Sequence, residues 1–255
     1  MGREKQVISD NSTLRARYDT LQTGDVVVGR LRLHYSEEAL VLDLCERGIH
    51  LIPSGLSQLA SRSKTLQAAL LAPLMLPLTK AIHSQHDLIA AISDYQKNSV
   101  NEVVTKLDRS NAGMGVHLWQ SAEELFAHAS LGNIPFPFVL QPYEPECRDI
   151  RVVLLDDYVE AYWRHNPYNF RNNLHFGGQS RPCELSAEQI NLCRLAMERG
   201  RFPYAHIDIF ITAEGRPYLG EINLRGGIKG AALTPEEYTA RVAAIHQRLL
   251  QAYLE

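Results

Sequence analysis

The fold of this chain is decided by the stretch Ala205-His-Ile-Asp-Ile-Phe-Ile211 and by a second stretch close behind it, Tyr218-Leu-Gly-Glu-Ile222. Both are strongly apolar, which is typical of buried β-strands. The residues Ala213-Glu-Gly215 between them have the composition of a tight turn. The sequence therefore predicts two neighbouring strands that pair antiparallel about this turn.

Three polar side chains on these strands indicate a metal site. Antiparallel pairing brings Asp208 almost directly opposite Glu221. Because side chains alternate between the two faces of a strand, Asn223 shares the face of Glu221. Two carboxylates and an amide oxygen form an oxygen-only site that suits Mg²⁺ completed by phosphate oxygens. The alternative is a solvated sheet face, although acids within apolar strands cost free energy unless a cation compensates them.

A lysine and a loop of small residues occur earlier in the chain. Val103-Val-Thr-Lys106 ends a predicted strand, and Ser110-Asn-Ala-Gly-Met-Gly115 follows it. Glycines let backbone N–H groups approach phosphate oxygens closely, and Lys106 would add a positive charge at the α- or β-phosphate. The loop is neither a Walker A motif nor a Rossmann fingerprint. An ordinary flexible hairpin loop is the alternative, and the acidic residues downstream favour phosphate binding.

Helical and strand patterns alternate along the rest of the chain, which predicts an α/β organisation. Residues 1–22 are polar and mixed in charge, and we expect a lead-in or a poorly ordered arm there. Further strands are predicted at 25–31, 49–52, 102–106, 116–119, 138–142, 150–155 and 158–164. Helices are predicted at 36–47, 54–71, 84–96, 121–129, 186–198 and 235–253. The Asn- and Gly-rich residues 166–178 are predicted to form a long loop.

The bulk composition is that of an ordinary globular chain of 255 residues. A net charge of -3 provides no global basic field, so nucleic acid is not expected as a partner. The four cysteines are far apart and form no CxxC pair, which favours reduced thiols over a zinc site or a disulfide framework. The sequence has neither a secretory signal nor an apolar run of membrane-spanning length. We therefore expect a cytoplasmic protein without a membrane partner.

Four stretches of the chain resemble the ATP-grasp superfamily and, within it, the RimK-type amino-acid ligases. They are Val104-Thr-Lys106 through Gly113-Met-Gly-Val116, Val139-Leu-Gln-Pro-Tyr143 leading to Asp149-Ile-Arg151, Asn169-Phe-Arg-Asn-Asn-Leu-His-Phe-Gly-Gly178, and His206-Ile-Asp208 with Gly220-Glu-Ile-Asn223. Their order and spacing match the family, and the similarity covers residues 40–250. The resemblance implies an α/β (α+β) ATP-grasp fold, with two α+β lobes around a nucleotide. It divides the chain into a small N-terminal α/β lobe at 1–72, a small ATP-grasp lobe at 73–142 and a large lobe with the metal site at 143–255.

The site implied by the resemblance combines cations, a glycine loop and a hinge strand. Its ATP-binding residues are Lys64, Lys106, Ser110, Gly113, Gly115, Gln141, Pro142, Tyr143, Asp149, Arg171, Asn172 and Asn173. Its metal ligands, for Mg²⁺ or in its place Mn²⁺, are Asp208, Glu221 and Asn223. The catalytic candidates are Arg171, at the transferred phosphoryl group, and Arg225, at a substrate carboxylate or the intermediate. For Arg225 and Lys229, a glycine turn with surface cations is the alternative.

The activity implied by the resemblance is an ADP-forming ligase that activates a carboxylate as an acyl phosphate and joins it to an amine. Its partners would be a small-molecule or peptide carboxylate and an amine such as an amino acid, and a homo-oligomer is left open. A kinase on the same fold and a non-catalytic ATP-binding regulator are the alternatives. Pro142 departs from the Glu common in relatives, and Leu224-Arg-Gly-Gly-Ile-Lys-Gly230 replaces the Ser-Pro-Gly pattern common near RimK-type ends. Arg151 and Arg164 are expected to face the cleft, either to contact phosphate or substrate or to form structural salt bridges.

Overall fold

The computed structural model describes residues 3–255, in which the strands form three sheets. The first sheet is parallel and has the strand order β1-β2-β3. Its part of the chain contains β1 (Val7–Ile8), α1 (Asn11–Arg17), β2 (Val26–Val28), α2 (Ala39–Glu46), β3 (His50–Ile52) and α3 (Gly55–Ala60). The predicted strands at 25–31 and 49–52 are confirmed in shorter form.

The prediction of a lead-in or a poorly ordered arm at residues 1–22 is wrong where the segment forms β1 and α1, and its first two residues lie outside the described part. Val7 pairs with Val26 in the first sheet. The Asp10 carboxylate accepts a hydrogen bond from the Thr13 N–H at 2.8 Å and so begins α1. Three isolated apolar residues of this segment are buried in the core of the lobe, namely Ile8, Leu14 and Leu21. They are too widely spaced to give a periodic signal in the sequence.

The second sheet is antiparallel and has the strand order β4-β7-β5-β6. Its elements are α4 (Lys64–Leu70), β4 (Lys80–Ile82), α5 (Gln85–Lys97), β5 (Val103–Leu107), β6 (Val116–Trp119), α6 (Ala122–Ser130) and β7 (Phe138–Pro142). The single helix predicted at 54–71 is wrong, because the chain forms α3 and α4 with a break at 61–63. The Ser63 hydroxyl accepts a hydrogen bond from the Leu66 N–H at 3.1 Å, and this cap starts a new helix with Lys64 as its first residue.

The third sheet is antiparallel and has the strand order β10-β9-β8-β11-β12. Its elements are β8 (Arg148–Leu155), β9 (Tyr158–His165), β10 (Gln179–Pro182), α7 (Ala187–Gly200), β11 (Ala205–Ile211), β12 (Pro217–Asn223) and α8 (Pro235–Leu254). The sequence did not predict β10, which is an edge strand of four exposed residues without apolar alternation. Among residues 3–255, no helix is long and apolar enough to cross a membrane.

A buried glutamine joins α4 to the edge of the third sheet. The Gln67 side chain is 2% exposed and pairs with both backbone groups of Ile222 on β12. Its Nε2 donates to the Ile222 carbonyl at 2.9 Å and to the Ala60 carbonyl at 2.8 Å, and its Oε1 accepts from the Ile222 N–H at 3.0 Å. Gln67 therefore fixes the position of α4, which begins at Lys64, relative to the strand that carries Glu221.

Replacing Gln67 with Leu should lower the free energy of unfolding by about 2–4 kcal/mol, because three buried backbone groups lose their partner. Urea denaturation followed by circular dichroism measures this difference. Gln251→Leu, at an exposed position of α8, is the matched control and should change stability by less than about 0.5 kcal/mol. Equal stability of the two variants would show that the Gln67 bridge does not stabilise the fold.

Candidate active site

A cleft of about 1280 Å³ receives side chains from all three sheets and their loops. Every predicted site residue lines this cleft except Gly115. Gly115 instead packs against the Ser110 side chain, which leaves no room for a Cβ atom. The structure therefore brings the predicted residues together, while their individual roles remain predictions.

The predicted pairing of the two decisive strands is confirmed. Asp208 on β11 and Glu221 on β12 are direct partners in the antiparallel ladder, and Asn223 lies opposite His206. The side chains of Asp208, Glu221 and Asn223 all line the cleft. No cluster of three or more His, Cys, Asp or Glu residues suited to a metal occurs in the described part of the chain, so the Asn223 amide oxygen would be the third protein ligand here. This all-oxygen donor set fits Mg²⁺ that keeps waters or phosphate oxygens as further ligands.

The buried Arg164 and the half-buried Arg151 neutralise Asp208. Arg151 on β8 is the ladder partner of Asp208 on its other side, and its Nη2 lies 2.9 Å from Oδ2 of Asp208. Arg164 on β9 also approaches this Oδ2 at 2.9 Å, and its Nε donates to Asp149 at 2.6 Å. Burial raises the pKa of Asp208, but Arg151 and Arg164 lower it more, so the net shift is downward. Both arginines form structural salt bridges and also line the cleft.

Lys64 neutralises the Glu221 carboxylate, as Arg151 and Arg164 neutralise Asp208. Its Nζ lies 3.3 Å from Oε1 of Glu221 and donates to the Ser110 carbonyl at 2.6 Å. Burial raises the pKa of Glu221, whereas Lys64 is the main group that lowers it, and the net shift is downward. The Lys64 ammonium is thus held between β12, which carries Glu221, and the loop that follows β5.

Lys106 lies beside the same strand without a carboxylate partner among residues 3–255. Its Nζ donates to the Gly220 carbonyl at 3.3 Å and lies 5.1 Å from the centre of the Phe210 ring. Burial lowers its pKa to about 8. A half-buried lysine of this kind gains favourable interactions when an anion such as a phosphate binds next to it.

The loop at 108–115 is held from both sides of the cleft. Asp108 accepts hydrogen bonds from the Thr65 N–H at 3.0 Å and from the Ser63 hydroxyl at 3.1 Å. On the opposite side, the Asn173 amide donates to the Ala112 carbonyl at 3.1 Å. Gly113, with φ +75, packs directly against Asn173, so a side chain there would collide with it. The loop therefore covers the cleft and links α4 to residues 166–178.

Arg171 is fixed within residues 166–178 by aromatic rings and a backbone contact. Its guanidinium lies 4.3 Å from the Phe170 ring centre and 5.0 Å from that of Phe176, and it donates to the Val116 carbonyl. Its Nε is buried without a hydrogen-bond partner in the described structure. This arrangement orients the side chain at the cleft and leaves it a donor for an anionic ligand.

The segment 141–143, which corresponds to the predicted hinge strand, is held in place by side-chain and backbone contacts. Gln141 is 3% exposed, and its Nε2 donates to the Thr79 hydroxyl at 3.1 Å. The Tyr143 N–H donates to the Glu102 carbonyl at 3.0 Å, and the Tyr143 ring meets Phe170 edge-on at 6.2 Å. The segment 141–143 thus borders the cleft with a fixed backbone.

Sequence reasoning missed the cations that the N-terminal lobe and the loop after β5 contribute to the cleft. They are Arg30, Arg32, Arg62 and Arg109. Arg62 and Arg109 both pair with Glu38, which ties this lobe to the covering loop. The available signal was Gly29-Arg-Leu-Arg32, a glycine and two arginines directly after a strand. Nothing in one sequence shows that this lobe folds back over the later strands.

The family follows from comparison with known proteins. A model of the RimK-like ATP-grasp domain matches residues 60–241, so this chain belongs to that family. A curated relative, the probable alpha-L-glutamate ligase 2 of Shewanella amazonensis, is 31% identical over 134 residues, which are 50% of this chain and 44% of the relative. The chain spans about half the length of the curated relatives it matches first.

Solved structures establish the fold. D-cycloserine synthetase DcsG superposes with a TM-score of 0.64 at 17% identity, covering 96% of this chain and 100% of that one. The ATP-grasp ligase PsnB, complexed with a phosphomimetic variant of its minimal precursor, Mg and ADP, gives 0.56 at 19% identity, with 83% and 67% covered. The predicted α/β (α+β) ATP-grasp fold is thereby confirmed.

Proposed function

We propose that this chain is a Mg·ATP-dependent carboxylate–amine ligase that forms ADP and works in the cytoplasm. The observation that carries the proposal is the convergence of Asp208, Glu221 and Asn223 on a cleft that Lys64 and Lys106 enter from other elements. Relatives named as glutamate ligases and a solved ligase complex with Mg and ADP support the same reaction class. Transfer of a phosphoryl group requires positive charges around the phosphate oxygens, and the lysines and arginines that line the cleft supply them next to the candidate metal ligands.

The proposed reaction has two steps. A carboxylate oxygen of the substrate attacks the γ-phosphorus of ATP, and the bond to the β,γ-bridging oxygen breaks to release ADP. An amine then attacks the acyl phosphate carbon, loses a proton and expels inorganic phosphate. Mg²⁺, when bound by Asp208, Glu221 and Asn223, neutralises charge on the phosphate oxygens.

The protein's own residues position and shield these groups. Lys64, Lys106 and Arg171 are fixed by neighbouring contacts, so little reorganisation is needed when charge develops on the phosphoryl group. The loop at 108–115 covers the cleft and would keep water from the acyl phosphate.

A hydroxylamine-trapping assay tests this proposal. With Mg²⁺, ATP, hydroxylamine and a panel of carboxylic acids, we expect ADP release together with the hydroxamate of the accepted acid, because hydroxylamine captures acyl phosphates. Omission of Mg²⁺ should abolish both products. Formation of ADP with a stable phosphate ester and no hydroxamate would instead identify a kinase, and absence of any turnover would favour the regulator.

A further inference from the structure

Several cleft-lining cations form no ion pair within residues 3–255, namely Arg30, Arg32, Lys106, Arg171, Arg225 and Lys229. Among them, Arg225 is the charged group that acts most strongly on Arg30. Arg62, Arg109, Arg151, Arg164 and Lys64 all form ion pairs. Arg30, from the loop after β2, and Arg225, from the loop after β12, form no side-chain ion pair or hydrogen bond within residues 3–255, although both line the cleft. They come from different lobes and so border the cleft from two directions.

The backbone that carries Arg30 is rigid. The buried Gln58 side chain accepts a hydrogen bond from the Leu31 N–H at 2.7 Å and donates to the Gly29 carbonyl at 3.3 Å. These contacts clamp the residues on both sides of Arg30, while Arg30 itself keeps more than a third of its surface exposed. The guanidinium is therefore presented to the cleft by a fixed loop.

The loop that carries Arg225 is anchored equally well. The Leu224 N–H donates to the Ser61 hydroxyl at 2.9 Å, and Nη1 of Arg151 donates to the Gly227 carbonyl at 3.3 Å. Gly226 packs so closely on the His206 ring that a Cβ atom would lie 2.8 Å from its Cγ. Since Arg225 follows Asn223 by two residues, this anchoring places it directly beside the candidate metal ligands.

The electrostatics of the pair favour an anion. Desolvation is the main cause that lowers the pKa of Arg30, and the positive charge of Arg225 is the next. The acids that line the cleft are Glu144, Asp149, Asp208 and Glu221. Asp149, Asp208 and Glu221 already form ion pairs with Arg164, Arg151 and Lys64, respectively. The fourth acid, Glu144, directly follows the segment 141–143. Two neighbouring like charges without an acid between them repel, and a bound anion removes that repulsion.

We propose that Arg30 and Arg225 together bind a second anionic group of the carboxylate substrate. The accepted acid is therefore a dianion, either a dicarboxylate or a carboxylic acid that carries a phosphate or phosphonate. This inference rests on the proposed ligase function, in which Lys64, Lys106 and the metal ligands hold the ATP phosphates. The reacting carboxylate then lies at Asp208 and Glu221, and two guanidinium groups suit the bidentate recognition of its distal anion.

Calorimetric binding in the presence of Mg²⁺ and a non-hydrolysable ATP analogue tests the second anion subsite. Glutarate is compared with pentanoate, and 3-phosphonopropionate with butanoate, because each pair differs in the distal anion alone. We expect at least one dianion to bind about 10–100-fold more tightly than its partner. Tighter binding of glutarate would identify the distal group as a carboxylate, and tighter binding of 3-phosphonopropionate would identify it as a phosphonate.

Three variants complete the test. Arg30→Gln should remove most of the dianion preference and leave monoanion binding unchanged. Arg225→Gln should also remove most of the dianion preference, whereas Arg194→Gln, at an exposed position of α7, should behave as wild type. Equal binding within both pairs, failure of both dianions to bind, or a preference that survives Arg30→Gln would overturn the inference.

The hydroxamate assay separates this inference from the proposed function. Turnover of monoanions as efficient as that of dianions would sink the second anion subsite and leave the ligase standing. Conversely, Arg30-dependent binding of a dianion that never yields ADP would retain the subsite and remove the ligase.

Discussion

Glu221→Gln will reduce ADP release by at least about 1,000-fold, which corresponds to about 4 kcal/mol of transition-state stabilisation. The substitution keeps the shape of the side chain and removes one of the two carboxylates that can hold a divalent cation. The protein should remain folded, because Lys64 is the only ion-pair partner of Glu221 within residues 3–255 and retains its hydrogen bond to the Ser110 carbonyl. We expect a change in unfolding free energy within about 1 kcal/mol.

A steady-state assay at saturating ATP, repeated over a range of Mg²⁺ concentrations, measures this loss. Glu214→Gln is the matched control, since Glu214 lies in the turn of the same hairpin and its side chain is 66% exposed. The control should retain wild-type rates. Wild-type turnover in Glu221→Gln at ordinary Mg²⁺ concentrations would remove this residue from the metal site.

The hairpin at the centre of the site could be predicted because local signals agree there. Apolar residues mark both strands and a turn separates them, so the close approach of Asp208 to Glu221 could be predicted. The register shift between Asp208 and Ile209, which makes Asp208 and Glu221 direct partners, had no signal in the sequence. The loop at 108–115 and the residues at 141–143 were located through stretches of sequence that resemble the ATP-grasp superfamily. Such stretches consist of residues close together in the chain, so a single sequence is enough to find them.

The remaining features depend on contacts between distant parts of the chain. The break between α3 and α4 places Lys64 at the start of a helix, and its cause includes the Asp108 side chain more than 40 residues away, which accepts from the Thr65 N–H. Gln67 behaves as a partner of β12, although its sequence context is that of an ordinary helical glutamine. Arg30 lines the cleft only because the N-terminal lobe packs next to the strands that form the rest of the cleft. A single sequence carries no signal for these long-range contacts.

Asp208→Asn will lose both turnover and stability, in contrast to Glu221→Gln. Asp208 is the shared acceptor of Arg151 and Arg164, whose side chains are 15% and 6% exposed. The neutral amide keeps one acceptor oxygen but removes the negative charge that pairs with Arg151, while Arg164 retains Asp149. Removal of one member of a buried ion pair costs about 3–5 kcal/mol, because the charge left behind remains desolvated.

Chemical denaturation of the metal-free protein isolates this loss of stability from the effect on metal binding. Asp157→Asn is the matched control, since Asp157 meets Arg241 at 3.5 Å with its own side chain 92% exposed, and a surface pair of this kind is worth less than about 1 kcal/mol. Equal unfolding free energies for the two variants would mean that Arg151 and Arg164 do not depend on Asp208. A large difference would show that the carboxylate holds the third sheet together before any metal or nucleotide binds. The same side chain would then have two separable roles, as a partner of buried arginines in the free protein and as a metal ligand during turnover.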